Sequence, residues 1–132
     1  MPKLDRLLES ALYVDDLERS AHFYQKLLGF EVITQGERLY ALSVAGNQVL
    51  LLCKKGASVN LKSPPPHDGD GQLHLAFAIS AAELAAWETW LPQQGVVIED
   101  KIHWDRGGCS LYFRDPDQHL VELATPGVWS IY

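Results

Sequence analysis

Three side chains in this sequence combine ligand chemistry with matched positions. Glu9, His74 and Glu122 are two carboxylates and an imidazole, a set that suits hard and borderline divalent cations rather than thiolate-type zinc chemistry. Glu122 stands out because Leu120-Val121-Glu122-Leu123-Ala124 is otherwise apolar. A carboxylate inside a buried strand must be paired, protonated or bound to a cation, because burying a bare charge is costly. Successive side chains of a strand point to opposite faces, so parity sorts their neighbours. Glu9 shares a face with Ala11 and Tyr13, His74 shares one with Ala76 and Ala78, and Glu122 shares one with Leu120 and Ala124.

The elements that must position these residues come in two copies. Residues 8–14 read as a strand, and Asp15 is expected to cap the following helix, with Glu18 as capping-box partner. Leu17, Ala21, Tyr24, Leu27 and Leu28 fall on one helical face, and Gly29 stands where a left-handed cap belongs. Strands are expected at 30–34, 39–44 and 49–53, with a turn at Ala45-Gly46-Asn47. The second half repeats this order. A strand at 73–79 leads to a capping box at Ser80 and Glu83, a helix stripe of Leu84, Trp87 and Leu91, and a closing Gly95. Pro92 should end that helix early or lie in a frayed last turn. Strands are then expected at 96–99, 110–114 and 120–124, the last two joined by turn chemistry at Asp115-Pro116-Asp117-Gln118.

Asp15 and Ser80, Glu18 and Glu83, and Glu9 and His74 are each separated by 65 positions. Such a repeat means two copies of one β-α-β-β-β unit, each too small to bury its own face. One domain over 1–132 is expected, with a first module at 5–55, a polar connector at 56–72, a second module at 73–126 and a tail at 127–132. The first-half counterpart of Glu122 is Leu51, which cannot bind a cation. Two such sheets related by a pseudo-twofold would gather positions 9, 51, 74 and 122. The result is a three-ligand metal centre with positions left open for water or substrate.

The bulk composition narrows the alternatives. The chain has 132 residues, 47% hydrophobic and 21% charged, which suits one globular domain. A net charge of −6 argues against a nucleic-acid partner held by phosphate neutralisation. No apolar run reaches the roughly 20 residues of a membrane-spanning helix, and the first ten residues do not read as a secretory leader. Cys53 and Cys109 are too few for a disulfide framework and read as reduced, buried residues of a cytoplasmic protein.

Three stretches, LYVDDLERSAHFYQKLLGF at 12–30, HLAF at 74–77 and SLYFRDPDQHLVEL at 110–123, resemble the vicinal oxygen chelate superfamily. That superfamily includes glyoxalase I, bleomycin-resistance proteins, fosfomycin-resistance enzymes and extradiol dioxygenases. The resemblance implies an α+β fold of tandem βαβββ modules forming a curved mixed sheet around a central cavity. It implies metal ligation by Glu9, His74 and Glu122, with Mn, Fe, Ni, Mg or Zn as the divalent ion, and a homodimer. Leu51 cannot supply the fourth ligand of glyoxalase I, which argues against that enzyme. Three retained ligands argue against pure drug sequestration of the bleomycin-resistance type, the alternative reading. Gln118 stands where the family often has Gly and is expected to change the turn while leaving the site intact.

The implied function is a metal-dependent enzyme, a glyoxalase-like lyase or isomerase, a dioxygenase or a thiol transferase, acting on a small oxygenated molecule. Glu9 or Glu122 is the candidate general base. Tyr13, Leu51, Tyr112 and Arg106 are candidate pocket residues, although Arg106-Gly107-Gly108 also reads simply as a turn, and the face of Tyr112 stays open. His67 is expected to be exposed. His22, His103 and His119 read as structural or surface residues. The aromatic tail at 128–132 is expected to cover the cavity or a dimer surface.

Overall fold

The computed structural model describes residues 1–132, which divide into two compact units, 1–71 and 72–132. The first comprises β1 (Glu9–Val14), α1 (Leu17–Leu28), β2 (Glu31–Gln35), β3 (Leu39–Val44) and β4 (Gln48–Lys54). Its sheet runs β1-β4-β3-β2, with β1 and β4 parallel and the other pairs antiparallel. Leu12, Leu42, Leu50 and Leu52 are fully buried on one face, as are Leu17, Ala21, Tyr24 and Leu27 of α1. Burying one such leucine contributes about 1.5–3 kcal/mol. The helix cap is Asp16 rather than Asp15: its carboxylate accepts from Arg19 N–H at 3.0 Å. Both residues are aspartates at the end of a strand, so composition alone did not separate them. Gly29 closes the helix at φ 72°.

The second unit repeats the plan. It comprises β5 (His74–Ala78), α2 (Leu84–Gln93), β6 (Asp100–His103), β7 (Cys109–Arg114) and β8 (Leu120–Ala124), with a 3₁₀ turn at Ala81–Glu83 before α2. Its sheet order is β5-β8-β7-β6, with β5 and β8 parallel. The fold is thus α+β, two mixed four-stranded sheets built from two βαβββ modules. Ser80 precedes the 3₁₀ turn, but its side chain makes no capping bond, so the expected capping box is absent. Pro92 lies in the last turn of α2, and Leu91 is the only residue of this helix that is buried.

One strand lies later than its residues suggest. Val96 and Val97 attract a strand assignment at 96–99, yet β6 begins at Asp100, and Val97 is 78% exposed. β6 is an edge strand, so polar residues suffice there and the apolar signal is weak. Its ladder extends back only as far as the Glu99 N–H bond to the Tyr112 carbonyl, at 2.7 Å.

The β7–β8 turn holds its register through Asp115, whose carboxylate accepts from the N–H groups of Asp117 and His119, each at 2.9 Å. Gln118 stands in this turn where the family often has Gly. It takes φ 66°, the left-handed conformation in which glycine carries no steric penalty.

Candidate metal centre

Register decides which side chains meet. Across the parallel pair, His74 lies opposite Leu120 and Ala76 opposite Glu122. His74 and Glu122 therefore share a face, offset by one two-residue step. Across the antiparallel pair, Tyr112 lies opposite Glu122 and Ser110 opposite Ala124. Tyr112 and Ser110 thus join the same face, which settles the orientation of Tyr112.

His74 Nε2 lies 3.3 Å from Glu122 Oε2. The other ring nitrogen, Nδ1, is 3.0 Å from the Leu120 carbonyl. A carbonyl can only accept, so Nδ1 carries a proton, and Nε2 faces the carboxylate with its lone pair in the neutral ring or as an N–H donor in the imidazolium. In the neutral ring two acceptors face each other, an arrangement that a proton or a metal ion between them satisfies. Orientation of an imidazole through its second nitrogen is also how metal-bound histidines are held. The donor set and its arrangement therefore fit a divalent cation.

Glu122 is held from behind. Its Oε1 accepts from the Ser110 hydroxyl, and Ser110 Oγ in turn accepts from Trp104 Nε1–H at 2.8 Å. Ser110 is fully buried and Glu122 nearly so, while the His74 side chain is half exposed. The pair thus presents an open side with a fixed back. Burial pushes the Tyr112 phenol above its usual range, and neighbouring Glu122 adds to this against the opposing Ser110 hydrogen bond. The phenol stays protonated and available as a donor.

In the first unit, Glu9, Ala11 and Tyr13 lie opposite Val49, Leu51 and Cys53. Ala11 opposite Leu51 reproduces Ala76 opposite Glu122, so Glu9 occupies the place of His74 and Leu51 the place of Glu122. Glu9 is exposed. Neither unit by itself gathers three His, Cys, Asp or Glu side chains able to hold a metal ion; the second brings two and the first offers one.

The remaining candidates fall elsewhere. Arg106 is exposed on a turn closed by the Gly107 N–H bond to the Trp104 carbonyl, at 2.9 Å. His103 is exposed on β6. His119 is fully buried, and its Nδ1 accepts from Leu73 N–H at 3.0 Å, a structural role. His67 is not exposed as expected: it is half-buried and bonded to the Tyr13 hydroxyl at 2.8 Å. In the tail, the Tyr132 hydroxyl donates to the Ile79 and Ala124 carbonyls, at 3.0 and 3.3 Å, while Trp129 and Ile131 stay exposed. Both cysteines are free and buried. Ser110 and Trp104 were the residues parity overlooked. Ser110 shares parity with Tyr112, so the observed register is what puts it on the Glu122 face, and nothing local marks Trp104 as its partner.

A family model for the glyoxalase/bleomycin resistance protein/dioxygenase superfamily matches residues 3–123. The chain belongs to this superfamily. Among curated relatives of this superfamily member, the metallothiol transferase FosB of Lysinibacillus sphaericus is 32% identical over 114 residues, covering 85% of this chain and 76% of the relative. The enzyme of the same name from Bacillus licheniformis is 30% identical over 117 residues, covering 88% and 72%. Among solved structures, lactoylglutathione lyase from Agrobacterium tumefaciens superposes with a TM-score of 0.91 at 29% identity, covering 98% of this chain and 99% of that one. These relatives are enzymes by name, transferases and a lyase.

Proposed function

We propose that this superfamily member is a metal-dependent thiol transferase that joins a low-molecular-weight thiol to a small oxygenated electrophile. The observation that carries the reading is the pair itself: an imidazole nitrogen and a buried carboxylate facing each other at 3.3 Å, each fixed from behind. His74 and Glu122 would hold the cation, and Glu9 would complete the set from the position equivalent to His74. The similarity to relatives named metallothiol transferases supports this choice among the chemistries of the superfamily.

A cation bound there supplies Lewis-acid polarisation of a substrate oxygen. The protein's own residues do the rest. Glu122 is tied to Ser110 and nearly buried, so it stays in place and serves as ligand. Glu9 is exposed, so of the two ligand carboxylates it is the one that would detach and take the proton from the thiol. The sulfur then forms a bond to carbon, a carbon–oxygen bond breaks, and the proton taken up by Glu9 is returned through solvent to the departing oxygen. The Tyr112 phenol, protonated and on the same face as Glu122, is placed to hydrogen-bond that oxygen. We further propose a homodimer, supported by the exposed apolar residues at the two ends, Leu4, Leu7 and Leu8, and Trp129 and Ile131; sedimentation at micromolar concentration tests it.

The decisive experiment is elemental analysis of protein purified without chelators, paired with thiol-consumption assays on glutathione or cysteine with small epoxides, with and without EDTA. The expected result is near-stoichiometric divalent metal and EDTA-sensitive thiol consumption. Metal-free protein that consumes no thiol after loading with Mn, Fe, Ni, Mg or Zn would overturn the reading.

A further inference from the structure

The connector after β4 is folded back on the first unit, and it closes over one end of the face that carries Glu9. Polar contacts hold it. The Tyr13 hydroxyl and His67 Nδ1 are 2.8 Å apart. Gly56 N–H donates to the Asp68 carboxylate at 3.1 Å. Lys55 Nζ bridges Asp70 at 3.2 Å and Asp15 at 3.3 Å. At the base, the fully buried Ser58 accepts from Arg38 Nη1 at 2.9 Å, and its carbonyl accepts from His67 N–H at 3.4 Å.

The joint is fitted at Gly69. A Cβ at this position would lie 2.5 and 2.7 Å from the Cδ2 and Cε2 atoms of the Tyr13 ring, inside any tolerable contact. Gly69 has no left-handed φ to explain it, so close approach is the reason glycine serves here. Beneath the same end lies Cys53, the register partner of Tyr13, with no exposed surface. Burial raises its thiol pKa, and Asp68 and Glu9 add to this against the opposing effect of Arg38.

The anchorage is polar and its outer contacts are exposed: Asp68 and Asp70 lie at the surface, and exposed ion pairs add little stability. Gly69 packs on the Tyr13 ring, and the His67 ring lies tilted against the same ring with centroids 5.9 Å apart. A segment held this way belongs to the low-stability end of a fold, where local opening is cheap relative to global unfolding. We propose that residues 58–70 form a strap that closes over the Tyr13–Cys53 end of the Glu9 face and opens as a unit to admit a ligand there, with Gly69 as its fitted joint and His67 as its latch. The strap is independent of the metal chemistry and stands or falls by its own test.

Cys53 is the built-in reporter of opening, and Cys109, buried in the other unit, is the reference for unfolding outside the first unit. The full chain is treated with a thiol-specific alkylating reagent, and modification of each cysteine is followed by peptide mass mapping. In the parent protein Cys53 is expected to label faster than Cys109. His67→Ala removes one hydrogen bond and should speed Cys53 labelling about fivefold. Gly69→Ala forces the joint apart and should speed it about tenfold or more. Cys109 labelling stays at its parent rate in both. An unchanged Cys53 rate in His67→Ala and Gly69→Ala, or Cys53 and Cys109 rates that rise together, would overturn the strap.

Discussion

His74 Nε2 and Glu122 Oε2 stand 3.3 Å apart across two parallel strands, while Nδ1 of the same ring bonds the Leu120 carbonyl at 3.0 Å. With Nδ1 committed to the Leu120 carbonyl, Nε2 is the nitrogen turned to the carboxylate, and a proton or a metal ion can lie between them.

The clearest consequence concerns Glu122→Gln. An amide keeps the hydrogen bond from Ser110 and can donate to His74 Nε2, removing a buried charge while satisfying both neighbours. Metal affinity should fall at least about tenfold, while the thermal stability of the chelated protein holds or rises by up to about 1 kcal/mol. Isothermal titration with Mn or Ni and thermal melts in EDTA measure the two. Equal metal affinity in the parent and variant would contradict the assignment.

Ser110→Ala should loosen Glu122 without touching a ligand. Outer groups of this kind typically account for about 10-fold to 100-fold in metal affinity, and a value near the lower end is expected because one hydrogen bond is lost. Because Trp104 Nε1–H loses its acceptor, tryptophan fluorescence should change in the same variant. A spectrum and an affinity both identical to the parent would count against the chain from Trp104 through Ser110 to Glu122.

The two helix starts should respond differently. Asp16→Ala removes a real cap, the bond to Arg19 N–H, and should destabilise the protein by about 1 kcal/mol. Ser80→Ala removes a side chain that makes no capping bond, and should change stability by less than about 0.5 kcal/mol. Urea unfolding of both variants decides the matter, and equal losses would be inconsistent with the observed capping.

Alkaline pH should weaken the fold through Cys53 and Tyr13. Burial raises both pKa values, with Asp68 adding to each, against the opposing effect of Arg38 on Cys53. The folded state therefore holds these protons more tightly than the unfolded chain does. The stabilisation is complete below the unfolded values, about 8.5 for a thiol and about 10 for a phenol. It is lost as pH rises through the raised folded values. Melts from pH 7 to 11 should show a decline that begins near pH 9 and is shallower in Cys53→Ala. A flat profile, or no difference in that variant, would refute this.

Much of the fold was legible in the residues because strand parity, helix periodicity and glycine caps are local rules, and the repeat doubles each signal. Leu17, Ala21, Tyr24 and Leu27 announced the buried face of α1, and Gly29 announced its end. The misses were also local. β6 is an edge strand whose polar Asp100 and Lys101 carry no apolar signal, and adjacent aspartates left the α1 cap ambiguous by one residue.

By itself the sequence determined the duplicated βαβββ plan, the equivalence of Glu9 with His74 and of Leu51 with Glu122, and the family those patterns mark. All of these depend on order along the chain. Tertiary structure alone decided that Tyr112 joins the Glu122 face, that Ser110 and Trp104 brace the carboxylate, and that His67 returns to Tyr13 across a fitted glycine. Those contacts join residues through cross-strand register and loop closure, and no spacing rule along the chain encodes either one.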